Sequence, residues 1–255
     1  MLKMVPDVVE ELVVAADGKS LDQDTLRMIL SEPSDHALEQ ALLLKEKHGG
    51  RVTVVTLAAP EVDEALFKAL AKGADQAIKL DADQTGVGSL ATARALASWL
   101  RADPQRQAPD TLLLTGSYAI DDLEGEMGPC LAEMLQWPFV GVVTGLALDA
   151  SGKKVTAIKE FFGGLRGEYE VDLPSVIGIQ AAARPPRYVP IAKIRSFMKS
   201  ATLGAAGVAP PDPAFALEIS RMYVPEATGR AAMVEGSPEE VSRRLVEILH
   251  QRGIV

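Results

Sequence analysis

The residues best equipped for chemistry fall in one stretch, residues 111–140, TLLLTGSYAIDDLEGEMGPCLAEMLQWPFV. Leu112, Leu113 and Leu114 form a short apolar run halted at Thr115-Gly116, as a buried parallel strand would be. The acidic residues 121–126 follow. Gly128-Pro129 then opens the apolar-periodic run Cys130, Leu131, Met134, Leu135, which reads as a helix with proline in its first turn. Strand, loop and helix start make the crevice in which open α/β sheets hold ligands, and a helix N-terminus favours an anion. A plain strand–helix connection has the same pattern, so that reading stands beside the binding one.

No catalytic constellation accompanies this stretch. His36, His48 and His250 are scattered through polar, helix-associated contexts and are expected to be exposed. No histidine–carboxylate spacing suggests a metal. There is no Gly-x-Ser-x-Gly elbow and no Gly-Lys-Ser/Thr phosphate loop. Gly86-Val87-Gly88 is too short for a dinucleotide fingerprint. Asp121 and Asp122 are adjacent carboxylates, which on a loop usually diverge, so a solvated cap is expected in preference to an acid–base pair. Cys130 lies on an apolar helix face, where packing is the expected role. The reading is of a protein without catalytic residues of its own.

Composition narrows the class. A chain of 255 residues with 47% apolar content can build one large α/β domain or a domain plus a tail. A net charge of −9 argues against nucleic acid, which needs a basic face. A single cysteine excludes an internal disulfide and a cysteine-based zinc site. No uninterrupted apolar stretch nears the length of a membrane span, and the start lacks a signal pattern, so no membrane insertion and a cytoplasmic location are expected.

The elements that must position the loop alternate. Residues 12–15 and the turn Asp17-Gly18 read as part of a hairpin. A helix capped near Asp35 runs through Ala37, Leu38, Ala41, Leu42 and Leu44 to His48-Gly49. Residues 52–57 and 77–80 read as buried strands, with a helix opened by Pro60 between them and another over residues 90–100. This βαβα rhythm predicts an α/β fold: a three-layer α/β/α sandwich around a mostly parallel, Rossmann-like sheet. Residues 142–148, 155–161 and 168–173 read as an added antiparallel hairpin region, and residues 176–180 as a strand that rejoins the core. From Ala181 a proline-punctuated arm follows through Pro185, Pro186 and Pro190. Residues 202–214 read as linker, and Ser237 caps a last helix from Pro238 to about Arg252 with Val241, Leu245, Val246, Ile248 and Leu249 on one face. The expected division is a domain over residues 1–200 and a linker, arm and helix over residues 201–255. A helix beyond a long arm hints at a partner.

Several segments, in order, resemble the beta subunit of electron transfer flavoproteins. They are SEPSDHALEQALLLKEKHGGRVTVVTLA, ALFKALAKGADQAIKL, AIDDLEGEMGP, RPPRYVPIAKI and RMYVPEATGRAAMVEG, the last closest to methylotroph-type members. The fold this implies is that of the adenine-nucleotide α-hydrolase-like group. The resemblance implies a heterodimer with an alpha subunit that holds most of a redox-active FAD, with this subunit forming a platform and its C-terminal arm and helix wrapping the partner. It also implies electron uptake from flavoprotein dehydrogenases and delivery to the electron transfer flavoprotein quinone oxidoreductase of the membrane. It places a structural AMP, or in bifurcating members a second FAD, at Asp121, Asp122, Gly125, Glu126, Met127, Gly128 and Pro129, with Glu32 and Leu57 close by. Arg187 and Tyr188 match the family's pair that braces the arm, and Ile191 falls where the family has a docking leucine. Packing of Ile191 on its own domain is the competing expectation. A stand-alone nucleotide-binding regulator of the universal-stress type is the alternative for the whole chain, although the arm and last helix speak against it. An enzyme of the related ATP-cleaving group would need a phosphate loop.

The departures from the family pattern are specific. Gly125, Glu126 and Met127 stand where AMP-binding relatives have Asn-Gln-Thr, and Glu32 replaces the asparagine of the early turn. A glutamate accepts hydrogen bonds and repels phosphate, so weak or no AMP is expected, and a second FAD still less. Lys3, Met4, Val5, Pro6 and Asp7 match the family's first loop, but only Met1-Leu2 stand for the strand before it. Either residues precede Met1 or another segment must cover the neighbouring strand edge.

Overall fold

The computed structural model describes residues 1–83, 88–208, 218–226, 229 and 231–255, with the side chain of Asp83 left aside. Most of Gly86-Val87-Gly88, the end of the stretch read as linker and parts of residues 227–230 lie outside the described residues. The elements run β1 (Met4–Pro6), β2 (Met28–Leu30), α1 (Glu32–His48), β3 (Thr53–Ala58), α2 (Val62–Lys72), β4 (Gln76–Asp83), α3 (Ser89–Arg101) and β5 (Leu112–Gly116). They continue as α4 (Met127–Leu135), β6 (Phe139–Leu148), β7 (Lys154–Glu160), β8 (Arg166–Asp172), β9 (Ser175–Ile179), α5 (Ile191–Ser200), β10 (Gly204–Gly207) and α6 (Pro238–Gln251).

Besides the short antiparallel pair β1-β2, the strands form two ladders side by side, β10-β4-β3 and β5-β9-β6-β7-β8. Pairing is parallel in the first and among β5, β9 and β6, and antiparallel from β6 through β8. The line between β3 and β5 is held by the first two residues. Met1 N donates to Leu114 O at 2.5 Å and Leu2 N to Val55 O at 2.9 Å. The segment that covers the strand edge is therefore Met1-Leu2 itself.

Strand side chains alternate between two cores, as a pleated sheet covered on both faces requires. Val55, Leu57, Ile78, Leu80 and Val176 pack with Leu96, Trp99 and Leu100 of α3 and Leu131 and Leu135 of α4. On the other face Val54 and Ala77 meet Leu38 and Leu42 of α1 and Leu66 and Leu70 of α2. Farther along that face, Ala37, Leu114, Val143, Val155, Ile177 and Ile179 share a third cluster. The result is the expected three-layer α/β/α arrangement.

Four expectations change. The first helix begins at Glu32 after Ser31, with Pro33 in its first turn, and not at Asp35. Asp35 instead pairs with the buried ammonium of Lys72 on α2, so its carboxylate is engaged elsewhere. Ile191 begins a helix, α5, where an irregular arm was expected to continue. Finally, the stretch read as linker supplies β10, which pairs in parallel with β4 from Gly204↔Ile78 to Gly207↔Asp81. The predicted early hairpin shrinks to a turn with one bridge, Val14↔Leu21.

Candidate functional site

A cleft of about 460 Å³, counting its open mouth, lies at the carboxyl end of β5. Its walls are Met1, Leu2 and Lys3, the helix starts at Ser34, Ser89 and Thr92, the residues Gly116, Ser117, Tyr118, Ala119, Asp122 and Gly125, and Met127 of α4. This is the crevice the sequence pointed to.

The loop after β5 is held by its own backbone. Ala119 and Asp122 exchange N–H···O bonds at 3.0 Å each way, which forces a tight turn at Ile120-Asp121. Gly125 sits at φ +66°, and a Cβ there would run into the Ser117 backbone. Only glycine fits this position without strain. At the start of α4, a Cβ on Gly128 would lie 2.9 Å from the Phe139 ring and 3.3 Å from Thr115 Oγ1. Val142 N donates to Ser117 Oγ at 3.1 Å, at the point where the pairing of β6 with β9 shifts register.

Electrostatically the cleft is closed on itself. Lys3 Nζ lies 2.7 Å from Asp121 Oδ1 and 4.0 Å from Asp122 Oδ2, and Ser89 Oγ donates to Asp122. The two carboxylates thus converge on one cation, where divergence was expected. Asp122 thereby sits beside the first residue of α3. Of the two carboxylates only Asp122 lines the cleft, and Lys3, which also lines it, is already paired with both.

Gly125 and Gly128 are required by packing of the loop on Ser117 and on Phe139. The start of α4 lacks a side-chain cap, and the buried Thr115 hydroxyl has no partner among the described residues. The polar lining combines Lys3 and the hydroxyls of Ser34, Ser89, Thr92, Ser117 and Tyr118 with one carboxylate, Asp122. Glu126 and Pro129 are exposed and Met127 lines the wall. Glu32 is exposed in the first turn of α1, beside the cleft but not lining it. Leu57 is fully buried in the core, so only its backbone could meet a ligand. Sequence reasoning did not single out Ser34, Ser89 or Thr92. All three sit in the first turn of a helix, which is the signal that could have found them.

Cys130 packs against the core, and burial raises its thiol pKa, helped by the charges of Glu126 and Asp122. It is a packing residue, as expected. His48 and His250 are exposed. His36 is not: half-buried, it accepts a hydrogen bond from Ala182 N at 3.1 Å.

The arm over residues 181–190 carries the second set of predicted residues. Arg187 makes a fork to Glu39, Nε to Oε2 at 2.9 Å and Nη2 to Oε1 at 2.8 Å, and reaches Glu46 at 2.6 Å. Burial opposes ionisation of Glu39, but the bonds from Arg187 outweigh it and hold the carboxyl below its ordinary range. Tyr188, expected to brace as well, stands 83% exposed and makes no hydrogen bond among the described residues. Ile191 is 63% exposed, between the buried Val189 and Ile194. Of the predicted pair only Arg187 braces the arm, and Ile191 is not a core residue.

A mixed α/β sheet with a cleft at the carboxyl end of β5, an arm held by α1 and an unburied C-terminal helix defines the chain as a three-layer α/β/α protein. The description "Electron transfer flavoprotein domain" matches residues 20–214. The chain is 31% identical over 263 residues to the electron transfer flavoprotein subunit beta of Methylophilus methylotrophus, covering 98% of this chain and 96% of that protein. It is 28% identical over 252 residues to the subunit beta of Bacillus subtilis (strain 168), covering 96% and 95%. Protein FixA of Bradyrhizobium diazoefficiens is 34% identical over 171 residues, covering 65% of this chain and 58% of that protein. The chain belongs to the electron transfer flavoprotein family, in its beta-subunit and FixA branch. Among the described residues no helix is long and apolar enough to cross a membrane.

Proposed function

We propose that this chain is the beta subunit of a cytoplasmic heterodimer whose FAD is held mainly by the alpha subunit. Electrons arrive from flavoprotein dehydrogenases and leave toward a membrane quinone oxidoreductase. The observation that carries the reading is α6. It has a complete capping box, in which Ser237 Oγ accepts from Glu240 N at 3.3 Å and Glu240 Oε2 accepts from Ser237 N at 2.8 Å. Yet none of its residues is buried, and Leu245, Val246, Ile248 and Leu249 face solvent. A lone helix of this length is marginal in water, so its stability comes from an apolar partner.

Bound FAD supplies the redox chemistry. This chain contributes shape: Tyr118, Ile120 and Leu123 stand exposed on the loop after β5, an apolar shelf beside the cleft. AMP binds weakly or not at all in the cleft, because Asp122 lines it and Lys3 is already paired with Asp121 and Asp122.

The test is co-expression with the alpha subunit. The expected result is a yellow heterodimer with one FAD, a colourless isolated beta chain, and loss of the complex when the chain is cut after Gly236. Full retention of FAD by the isolated chain would refute the reading, as would a complex indifferent to removal of α6.

A further inference from the structure

Three side chains of α1 take up the backbone of the arm. His36, Glu39 and Gln40 stand at i, i+3 and i+4 and so share a helix face. Ala182 N donates to His36 Nδ1 at 3.1 Å, Ala183 N to Gln40 Oε1 at 3.2 Å and Arg187 N to Glu39 Oε2 at 2.9 Å. The Gln40 amide is oriented for this by its own bond to Leu146 O at 3.2 Å. Beyond the bond of Ala181 N to Val143 O, the arm pairs with no strand among the described residues, so these bonds replace a ladder.

Glu39 does more than accept one N–H. It binds the main chain and the guanidinium of the same residue, Arg187, and thereby fixes that residue at both ends. Val189, two residues on, is buried against Ala71 and Ile194. Tyr188 is caught between two fixed neighbours and projects into solvent. Pro190 then starts α5 with Ile191 at its first position, where Lys193 N and Ile194 N both reach Pro190 O. Glu46 also holds Arg187, but from an exposed position and through the guanidinium only.

We propose that Glu39 is the positioning residue of the docking arm: it sets the direction of Tyr188 and Ile191 through Arg187 while touching neither partner nor flavin. This rests on the reading that the arm docks the dehydrogenase. The buried carboxylate lies on α1, so the arm is registered to the sheet that carries the cleft and not merely attached to it.

The experiment uses the assembled heterodimer carrying Glu39→Gln, Arg187→Lys, Glu46→Gln or Ile191→Ala. Amide hydrogen exchange over residues 182–191 reports the arm, and steady-state reduction by the cognate dehydrogenase reports docking. Glu39→Gln is expected to speed exchange of the arm by about tenfold or more and to raise the apparent KM with kcat and FAD content unchanged. Arg187→Lys, at a partly exposed side chain that keeps its charge, is expected to do the same and guards against misfolding of the buried variant. Glu46→Gln is expected to change neither readout. Unchanged arm exchange in both Glu39→Gln and Arg187→Lys overturns the proposal. So does an unchanged KM in Glu39→Gln when Ile191→Ala is impaired. A normal Ile191→Ala protein would instead overturn the docking reading, with any loosening of the arm by Glu39→Gln showing the tether to be structural only.

Discussion

Truncation of Ile191 separates docking from folding. The side chain is 63% exposed at the first position of α5, while the helix is anchored by Ile194 and by the carbonyl of Pro190. Cutting a buried isoleucine to alanine would cost about 2–5 kcal/mol of stability, whereas an exposed site away from special contacts changes it by only about 0.5 kcal/mol. In a chain of this size that smaller figure moves the melting temperature by about 2 °C or less. An apolar anchor seated in a partner's pocket, however, contributes about 2 kcal/mol or more to binding. At about 1.4 kcal/mol per factor of ten, this weakens docking roughly thirtyfold. The assay is the rate at which the dehydrogenase reduces the heterodimer's flavin at subsaturating concentration, beside its melting curve and FAD content. At least a tenfold slower reduction is expected, with the other two unchanged. Normal electron transfer with a lowered melting point would refute the reasoning, because it would place Ile191 in the fold and not on the docking surface.

Nucleotide extracted from the denatured heterodimer is expected to contain well under one equivalent of AMP by mass spectrometry. Replacing Glu126 and Met127 by glutamine and threonine should raise AMP affinity by about tenfold or more, measurable by calorimetry. Gly125→Ala, with its φ of +66° and its Cβ directed at the Ser117 backbone, should lower stability by about 1–3 kcal/mol in chemical denaturation and disturb the Tyr118 shelf. Glu39 titrates in the folded chain below its ordinary value of 4.5, so its contribution to stability is complete above that pH and is lost as the pH falls through the lowered value. Denaturation curves at a series of acid pH values should show that loss in the native sequence and a flatter acid limb in Glu39→Gln.

What the sequence disclosed and what it hid divide along physical lines. Contiguous apolar runs such as residues 52–57, and helix runs closed by Gly49 and Gly73, announced the βαβ core because burial on both faces leaves few polar positions. The loop after β5 was legible as the stretch between an apolar run and the Gly128-Pro129 helix start, whereas the turn at Gly125 was not, because the Ser117 backbone that requires it is brought there by the fold. Strand β10 was not, since Gly204, Ala205, Ala206 and Gly207 have linker composition and become a strand only through the free edge of β4, whose hydrogen bonds require no particular side chain. Helix α5 was within reach: Ile191, Ile194 and Phe197 recur at helical spacing, but three nearby prolines drew attention to extended backbone. His36 could not have been read from its neighbours, because its partner Ala182 lies 146 residues away. The pairing of Lys3 with Asp121 and Asp122 is equally non-local, and it alone reveals that the cleft's cation is already engaged.

That engagement bears on the proposed sharing of FAD with an alpha subunit. With Lys3 on the loop carboxylates and Ser89 on Asp122, the cleft's lysine is not free for a ligand's phosphate, and the free chain should bind a flavin weakly. The surfaces that lack cover are apolar: the α6 face, the hairpin tip with Phe161, Phe162 and Leu165, and the shelf of Tyr118, Ile120 and Leu123. Burying a single leucine or phenylalanine yields about 1.5–3 kcal/mol, so closing several of these patches against one partner is the dominant driving force on offer. Cofactor retention then follows assembly. By linkage the dependence is reciprocal: if the heterodimer holds FAD more tightly than either chain alone, FAD must tighten the heterodimer by the same factor. An equilibrium measurement of subunit dissociation with and without FAD therefore tests the shared-cofactor arrangement without any electron transfer, and equal dissociation constants would show that the flavin belongs to one chain alone.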